Sequence, residues 1–278
     1  MGEWDRNTPW RQGYILTSNT AKSLGLVHDQ FSDDTAAVVI SHDCDLAQVP
    51  KNERFIEIIV GRFIEKIDGN FSHAKNVRIL HLPFSQGASK VVVELSASRK
   101  TLIPKCSLLD HQPQANFRLS PQERSILQRW LAARYRRAAF PDAFESRLVQ
   151  RGLSERLARI LKTHGVHLTA IYFDLDDGNE VHREKPDDLY TLTIVLLYST
   201  EVDPQAAQKA VEEAKKAIEA AFKAKCCQDG NEWRDIELRE CMAVSDEAMS
   251  VSQSDKLKVW RTDYLSLRDN SLQPMLSE

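Results

Sequence analysis

The densest group of reactive side chains in this 278-residue chain is formed by four consecutive residues, His42, Asp43, Cys44 and Asp45. They follow the apolar run 36–40, which is rich in valine and isoleucine and predicts a β-strand. If the segment stays extended, His42 and Cys44 face one side and the two aspartates face the other, because side chains alternate along a strand. These four residues are therefore the predicted catalytic group.

Two kinds of chemistry fit the histidine and the cysteine. As a thiol site, Cys44 attacks an electrophile and His42 supplies the neighbouring imidazole. As a metal site, His42 and Cys44 act together with Cys106 and His111, which are residue types that bind zinc or another divalent metal. Neither pair has the C-x-x-C spacing that is typical of zinc sites, so spacing does not decide between the two hypotheses.

Two further interpretations rest on the carboxylates. Asp43 and Asp45 could bind a hard cation together with Glu57, although the lysine that a restriction-enzyme-type nuclease core carries after this glutamate is absent. Alternatively, the segment is a structural loop, in which the aspartates accept hydrogen bonds from backbone amides and Cys44 is a small buried residue.

Residues 1–117, which contain the predicted catalytic group, have the pattern of a β-rich, barrel-like domain. Short strands separated by turn signals are typical of a small barrel or a strongly bent sheet. A turn is predicted at Asp68-Gly69. The predicted strands cover residues 36–41, 55–60, 63–67, 77–82, 91–95 and 101–103.

The pattern becomes helical at residue 118. Ser120, Pro121 and Glu123 have the spacing of a capped helix start, and this helix is predicted to run to about Ala139. A second helical stretch over 143–162 is interrupted near Gly152.

The helical segment 118–165 is also strongly basic. Its net charge is +7, compared with 0 for residues 1–117 and −10 for residues 166–278. The guanidinium groups of its arginines can bind phosphate through paired hydrogen bonds. Trp130 and Tyr135 lie among these arginines in the sequence and are candidate stacking surfaces. Alternatively, the arginines pair with the acidic C-terminal third. The residues predicted to bind nucleic acid are Arg129, Arg134, Arg136 and Arg137.

Residues 166–278 are predicted to form an acidic α+β domain with one long helix on an antiparallel sheet. The helix begins at Asp203-Pro204 and runs to about Lys225, and Cys226, Cys227 and Cys241 are interpreted as packing residues. The predicted strands cover 167–174, 189–198, 236–242, 248–251 and 257–264. The predicted fold class is therefore α+β in three parts: the barrel-like domain 1–117, the basic helical segment 118–165 and the acidic domain 166–278.

The segment from Tyr172 to Gly178 resembles the first motif of the haloacid-dehalogenase-like phosphatases, an apolar strand that ends in Asp-x-Asp. Gly178 and Asn179 stand where that motif has a threonine, and a strand is predicted where that fold has a helix. We therefore interpret the segment as a turn rich in aspartate and glycine.

Composition limits the classes of function. No apolar run approaches the ~20 residues of a membrane helix, and there is no signal-peptide pattern. Five cysteines do not suggest a secreted disulfide scaffold, so we expect a cytoplasmic protein that does not contact membranes. Dinucleotide-binding, P-loop and α/β-hydrolase motifs are absent from the sequence.

Three functional hypotheses remain. The first is a protein that binds DNA or RNA through its basic helices and has a functional pocket at the 42–45 segment. The second is a thiol- or metal-dependent hydrolase, for example a nuclease, that uses Cys44 and His42. The third is a non-catalytic subunit whose acidic C-terminal domain binds a protein partner.

Overall fold

The computed structural model describes residues 3–133, 135, 140–178, 188–228, 232–254 and 257–261. These residues form a mixed α+β structure with a curled antiparallel sheet that makes half a barrel, and seven α-helices lie within these ranges. The predicted α+β class and barrel-like sheet are confirmed. No helix in these ranges is long and apolar enough to cross a membrane.

Contacts within the chain divide it into two compact units. Unit 1 comprises Met1–Ile67 and Val77–Tyr135, and unit 2 comprises Asp68–Asn76 and Arg136–Glu278. The domain boundaries predicted at residues 117 and 165 separate regions that we expect to fold independently. This division stays a prediction.

The sheet of unit 1 has the strand order β1-β2-β4-β3-β6, and β5 also pairs with β2; every pair is antiparallel. Trp10, Leu46, Ile56 and Ile58 are among the buried residues of its core. The elements of unit 1 are α1 (Ser18–Ser23), β1 (Thr35–Val39), α2 (Asp43–Leu46), β2 (Phe55–Ile64), β3 (Ile79–Gln86), β4 (Ser89–Ser96), β5 (Lys100–Pro104), β6 (Phe117–Arg118) and α3 (Pro121–Ala133).

The start of α3 confirms the capping prediction, but its end differs. Ser120 N donates to Glu123 Oε2 at 2.8 Å, and Glu123 N donates to Ser120 Oγ at 3.2 Å, which is a reciprocal capping box. The helix ends at Ala133 rather than near Ala139, and Tyr135 lies in a turn. Residues 134 and 136–139 lie outside the described ranges.

The sheet of unit 2 has the order β11-β8-β7-β12. The elements of unit 2 are α4 (Asp142–Gln150), α5 (Leu153–His164), β7 (Leu168–Leu175), β8 (Tyr190–Tyr198), α6 (Pro204–Cys226), β9 (Cys227–Gln228), β10 (Glu232–Trp233), β11 (Ile236–Ser245), α7 (Val251–Ser254) and β12 (Lys258–Val259). Gly152, with φ +66°, separates α4 from α5, which confirms the predicted interruption.

Two predictions for unit 2 are wrong. The sheet is mixed rather than antiparallel, because α6 carries the chain back along the sheet and β11 then pairs with β8 in parallel. The strand predicted at 248–251 is absent, since Ala248 N donates to Ser245 O at 3.1 Å in a turn and α7 begins at Val251. Of the strand predicted at 257–264, the structure has β12, and residues 262–264 lie outside the described ranges.

The segment Asp68–Asn76 begins with the predicted turn, in which Phe71 N donates to Asp68 O at 3.0 Å. It packs within unit 2 instead of closing a hairpin. A Cβ on Gly69 would lie 2.1 Å from Leu161 O, and one on Gly165 would lie 2.7 Å from Gly69 O. Glycine is therefore required at both positions, because the two backbones touch.

Candidate functional site

The candidate site begins where the chain leaves strand β1. Ile40 N donates to Glu57 O at 2.9 Å, and Ser41 Oγ then accepts a hydrogen bond from Glu57 N at 2.8 Å. Because the Ser41 hydroxyl, rather than a backbone carbonyl, accepts this hydrogen bond, the backbone pairing with β2 ends here and the chain turns away. His42 caps the single-turn helix α2, and its Nδ1 accepts from Cys44 N at 3.2 Å.

The predicted alternation of faces at this site is wrong, because Asp43–Leu46 forms a helical turn rather than an extended segment. The buried Leu46 anchors the turn, and its carbonyl accepts a hydrogen bond from Trp4 Nε1 at 2.8 Å. Cys44 is exposed, so its interpretation as a small buried residue is also wrong. His42 and Asp45 are exposed as well.

Lys105 holds the C-terminal end of this turn. Its side chain is buried, and Nζ donates to Asp45 O at 2.5 Å and to Gln48 O at 2.8 Å. The ammonium thereby takes the place of the amides that a longer helix would offer to these carbonyls. Burial lowers the pKa of Lys105, and the charges of Glu53 and Asp45 act in the opposite direction.

Asp43 connects the turn to helix α3. Its Oδ1 accepts from Gln12 N at 2.7 Å, and its Oδ2 lies 3.5 Å from Arg124 Nη1. Gln12 also donates through Nε2 to Ile40 O at 2.8 Å and accepts from Gln128 Nε2 at 2.8 Å. Arg124 and Gln128 are one turn apart on α3, so one face of this helix holds the site.

The predicted metal ligands are not assembled. Cys106 is exposed, and His111 Nδ1 lies 3.2 Å from Thr20 Oγ1. Within the described ranges, no group of three or more histidine, cysteine, aspartate or glutamate side chains is placed to hold a metal ion. His42, Cys44, Cys106 and His111 therefore do not form one ligand set.

The orientation of His42 determines what its ring can do. Because Nδ1 accepts the amide hydrogen of Cys44, the neutral ring carries its proton on Nε2. The exposed imidazole then presents an N–H donor to solvent, which suits an anionic or carbonyl ligand. Proton abstraction from the Cys44 thiol would require this ring to give up its capping bond.

The predicted nucleic-acid-binding arginines have different surroundings. Arg129 is exposed on α3, whereas Arg134, Arg136 and Arg137 lie outside the described ranges. Tyr135 is 83% exposed and can stack on a ligand, while Trp130 is 1% exposed and belongs to the protein interior.

Two other arginines of the basic segment form contacts within unit 2. Arg147 is buried, donates to Asp235 O at 3.0 Å, and lies over the ring of Tyr190 at 4.7 Å. Arg151 pairs with the Asp235 carboxylate. The alternative in which arginines pair with the acidic third therefore applies to these two residues.

The Asp-x-Asp motif begins within β7, which contains Asp174, and Asp176–Gly178 after the strand forms a turn, as interpreted. Asp176 and Asp177 have positive φ of 52° and 54°. Asp176 Oδ1 accepts hydrogen bonds from Thr191 N at 3.0 Å and from Thr191 Oγ1 at 3.1 Å. Burial and the charge of Asp177 raise the pKa of Asp174.

Sequence reasoning missed Gln12, Gln128 and Lys105. Their partners at the site are 28 to 116 residues away along the chain, and no local pattern identifies such pairs. Comparisons with protein-family models, with curated proteins and with solved structures found no match.

Proposed function

We propose that this protein associates with nucleic acid, that α3 contacts the phosphate backbone, and that the turn of residues 42–45 forms the functional pocket beside it. The observation that carries the proposal is the double connection of this turn to α3, through Asp43 with Arg124 and through Gln12 with Gln128. Helix α3, which carries Arg124 and Arg129, is thus joined to the turn that carries the reactive side chains.

The positive charges in α3 and in the sequence that follows it suit a polyanion. Arg129 is exposed on α3, and the sequence adds Arg134, Arg136 and Arg137 directly after the helix. Arginine forks bind phosphate through two parallel hydrogen bonds. Arg124 pairs with Asp43, while the Asp45 side chain is exposed. We therefore expect the phosphates to lie along α3 and the exposed N–H of His42 to contact a sugar or a base.

Salt-dependent binding tests this proposal. Fluorescence anisotropy with labelled single-stranded and duplex DNA and RNA should show binding that weakens steeply as salt rises. Arg129→Ala should lower the slope of log Kobs against log salt by about 0.7–0.9, because one phosphate contact is lost. The triple variant R134A/R136A/R137A should lower it further. Lys90→Ala, an exposed position on β4, is the matched control.

Two outcomes would contradict this assignment. One is the absence of binding at low salt, and the other is binding that the arginine variants leave as strong as in the Lys90→Ala protein.

A thiol-dependent hydrolase is the second candidate, because Cys44 is exposed and has His42, Asp43 and Asp45 beside it. Cleavage of labelled RNA or DNA should then be lost in Cys44→Ser and kept in Cys106→Ser, the other exposed cysteine of unit 1. Cleavage by purified Cys44→Ser protein would exclude this mechanism.

A further inference from the structure

Unit 1 contains a cleft of about 1010 Å³ that is not part of the 42–45 turn. Its lining comes from β2, β5, the turn at Ala97–Arg99, and the C-terminal end of α3 with Tyr135. This volume is at the upper end of the ~300–1,000 Å³ that is usual for small-molecule sites. A single nucleotide is well within that size class.

One face of the cleft is built from two cross-strand pairs of β2 and β5. Glu57 pairs with Leu102, and Ile59 pairs with Lys100. Directly opposed residues of an antiparallel pair share a face of the sheet, so a carboxylate, an ammonium and two aliphatic side chains lie together. Lys100 Nζ is 2.5 Å from Glu57 Oε1, and these side chains are 39% and 38% exposed.

The ion pair between Glu57 and Lys100 is accessible to a ligand. Exposed ion pairs contribute little to stability, so a ligand with complementary groups can share or replace this contact at low cost. The pair offers two carboxylate acceptors and an ammonium donor next to each other. Together they match a ligand edge that has N–H donors beside a carbonyl acceptor.

The α3 side of the cleft supplies aromatic groups. Trp130 lines the cleft, and its buried indole Nε1–H has no hydrogen-bond partner in the described part of the chain. Because this atom is buried and the residue is 1% exposed, Trp130 contributes packing surface to the cleft rather than a hydrogen bond to a ligand. Tyr135 lines the same cleft with a ring that is 83% exposed, and Leu102 is 56% exposed. Bases stack on exposed aromatic rings of this kind.

From these features we infer that the cleft binds one unstacked guanine base of a single strand. Glu57 accepts hydrogen bonds from N1–H and N2–H of the base, Lys100 donates to O6, and Tyr135 stacks on the ring. This inference deepens the proposed function and rests on it, because the flanking phosphates need the basic surface of α3. Arg129, which immediately precedes Trp130, is an exposed arginine of α3.

The hydrogen-bonding groups of each base predict how well it fits the cleft. On its Watson–Crick edge adenine has one amino group beside the acceptor N1, so Lys100 keeps an acceptor but Glu57 receives one N–H donor instead of two. Uracil has one N–H between two carbonyls, which the Glu57 carboxylate repels. Cytosine offers one amino group and two acceptors, and therefore makes part of the contacts. In a duplex the Watson–Crick edge is already paired, so duplexes are excluded from the cleft.

Single-guanine strands test the inference. Anisotropy should show that an oligouridine strand with one central guanine binds about tenfold more tightly than the same strand with adenine there, as expected for a bidentate base contact. Glu57→Gln should abolish most of this preference, since the amide repels one of the two N–H groups. Tyr135→Ala should weaken both strands equally. Glu65→Gln, at an exposed glutamate outside the cleft lining, is the matched control and should bind like wild type.

The outcomes separate this inference from the proposed function. Equal, salt-dependent binding of the two strands, or a guanine preference that persists in Glu57→Gln, would overturn the cleft assignment and leave nucleic-acid association standing. If no strand binds but guanosine monophosphate binds wild type and not Glu57→Gln, the base site is supported and the proposed function fails. Thermal melting of each variant establishes that it is folded, and Glu57 is suited to substitution because its side chain is partly exposed.

Discussion

Among the described residues, unit 1 and unit 2 each bury one lysine, and the two lysines stabilise different kinds of structure. In unit 2, Lys75 Nζ donates to Ser72 Oγ at 2.9 Å and to Gly165 O and Leu168 O at 2.7 Å each. Desolvation lowers the pKa of Lys75 well below its usual value. This lysine fastens the Asp68–Asn76 segment to the interior of unit 2.

In unit 1, the buried Lys105 binds the carbonyls of Asp45 and Gln48, whose side chains point away from the core and are exposed. It therefore fixes the backbone of the 42–45 turn and leaves its reactive side chains available. In both units a buried lysine donates hydrogen bonds to backbone carbonyls. In unit 2 these bonds stabilise the interior, whereas in unit 1 they stabilise a turn whose side chains are exposed. The exposed reactive side chains of this turn are the reason why the candidate site lies in unit 1.

The cysteines follow the same division. Burial raises the pKa of Cys226 to about 11 and that of Cys241 to about 12 in the core of unit 2. Cys44 and Cys106 of unit 1 are both exposed. Unit 2 uses Cys226 and Cys241 as small apolar residues, which agrees with their interpretation as packing residues, whereas Cys227 is half-buried.

The largest expected effect is on unit 2, from Lys75→Met. The substitution leaves the buried carbonyls of Gly165 and Leu168 without this donor, so the free energy of unfolding of unit 2 should fall by about 3 kcal/mol. Lys105→Met should cost unit 1 about 2 kcal/mol, because Asp45 and Gln48 are exposed and water can hydrate their carbonyls.

Native-state hydrogen exchange measures both changes, since it reports stability separately in each unit. Lys90→Met, at an exposed position of β4, is the control and should change neither unit. A loss in unit 1 that equals or exceeds the loss in unit 2 would contradict the proposed difference between the two lysines.

Thiol alkylation is the second way to test the comparison. Thiolate is the reactive form, so a pKa that burial raises from 9.0 to about 11 slows Cys226 by about a hundredfold, and restricted access slows it further. Mass spectrometry during iodoacetamide treatment should find Cys44 and Cys106 modified early, and Cys226 and Cys241 modified only after unfolding. All five cysteines should react at similar rates in denaturant. Modification of native Cys241 as fast as Cys44 would refute the assignment of its thiol to the core.

The sequence predicts the features that depend on neighbouring residues. The capping box of Ser120 and Glu123 and the left-handed Gly152 between two helices are local geometries with specific residue requirements. Most strands of the barrel-like sheet were also predictable, because β-branched residues cluster between turn signals. The exceptions are β2, which is continuous over Phe55–Ile64 where two strands were predicted, and β6, which was missed.

The features that position the site depend on distant residues and were not predictable. Lys105 and Asp45 are 60 residues apart in sequence, and Gln12 and Gln128 are 116 residues apart. The helical turn at 43–46 depends on a cap by His42, a residue type outside the usual capping set, and on anchoring by Leu46. The parallel pairing of β11 depends on where α6 packs, which periodicity does not reveal.

The smallest expected effect is acid sensitivity of unit 1. Burial lowers the pKa of His28, the positive charges of Arg99 and Arg62 act in the same direction, and the charges of Asp29 and Glu94 oppose them. The folded state thus favours neutral His28, and its contribution to stability is complete above pH 6.5. That contribution is lost as the pH falls through the lowered pKa of the folded state. Thermal melting should show a decrease of a few degrees in this window.

Protonation of Glu94 adds a second loss of stability in unit 1 at lower pH. Hydrogen bonds from His81 and Arg62 lower its pKa from 4.5 to about 2, so its contribution is complete above pH 4.5 and is lost between there and about pH 2. His28→Asn separates the two windows: its amide oxygen can replace Nδ1 as acceptor for the amides of Gln30 and Phe31, yet it does not titrate. This variant should lose the decrease just below pH 6.5 and keep the one below pH 4.5. An unchanged first decrease in His28→Asn would assign it to a group other than His28.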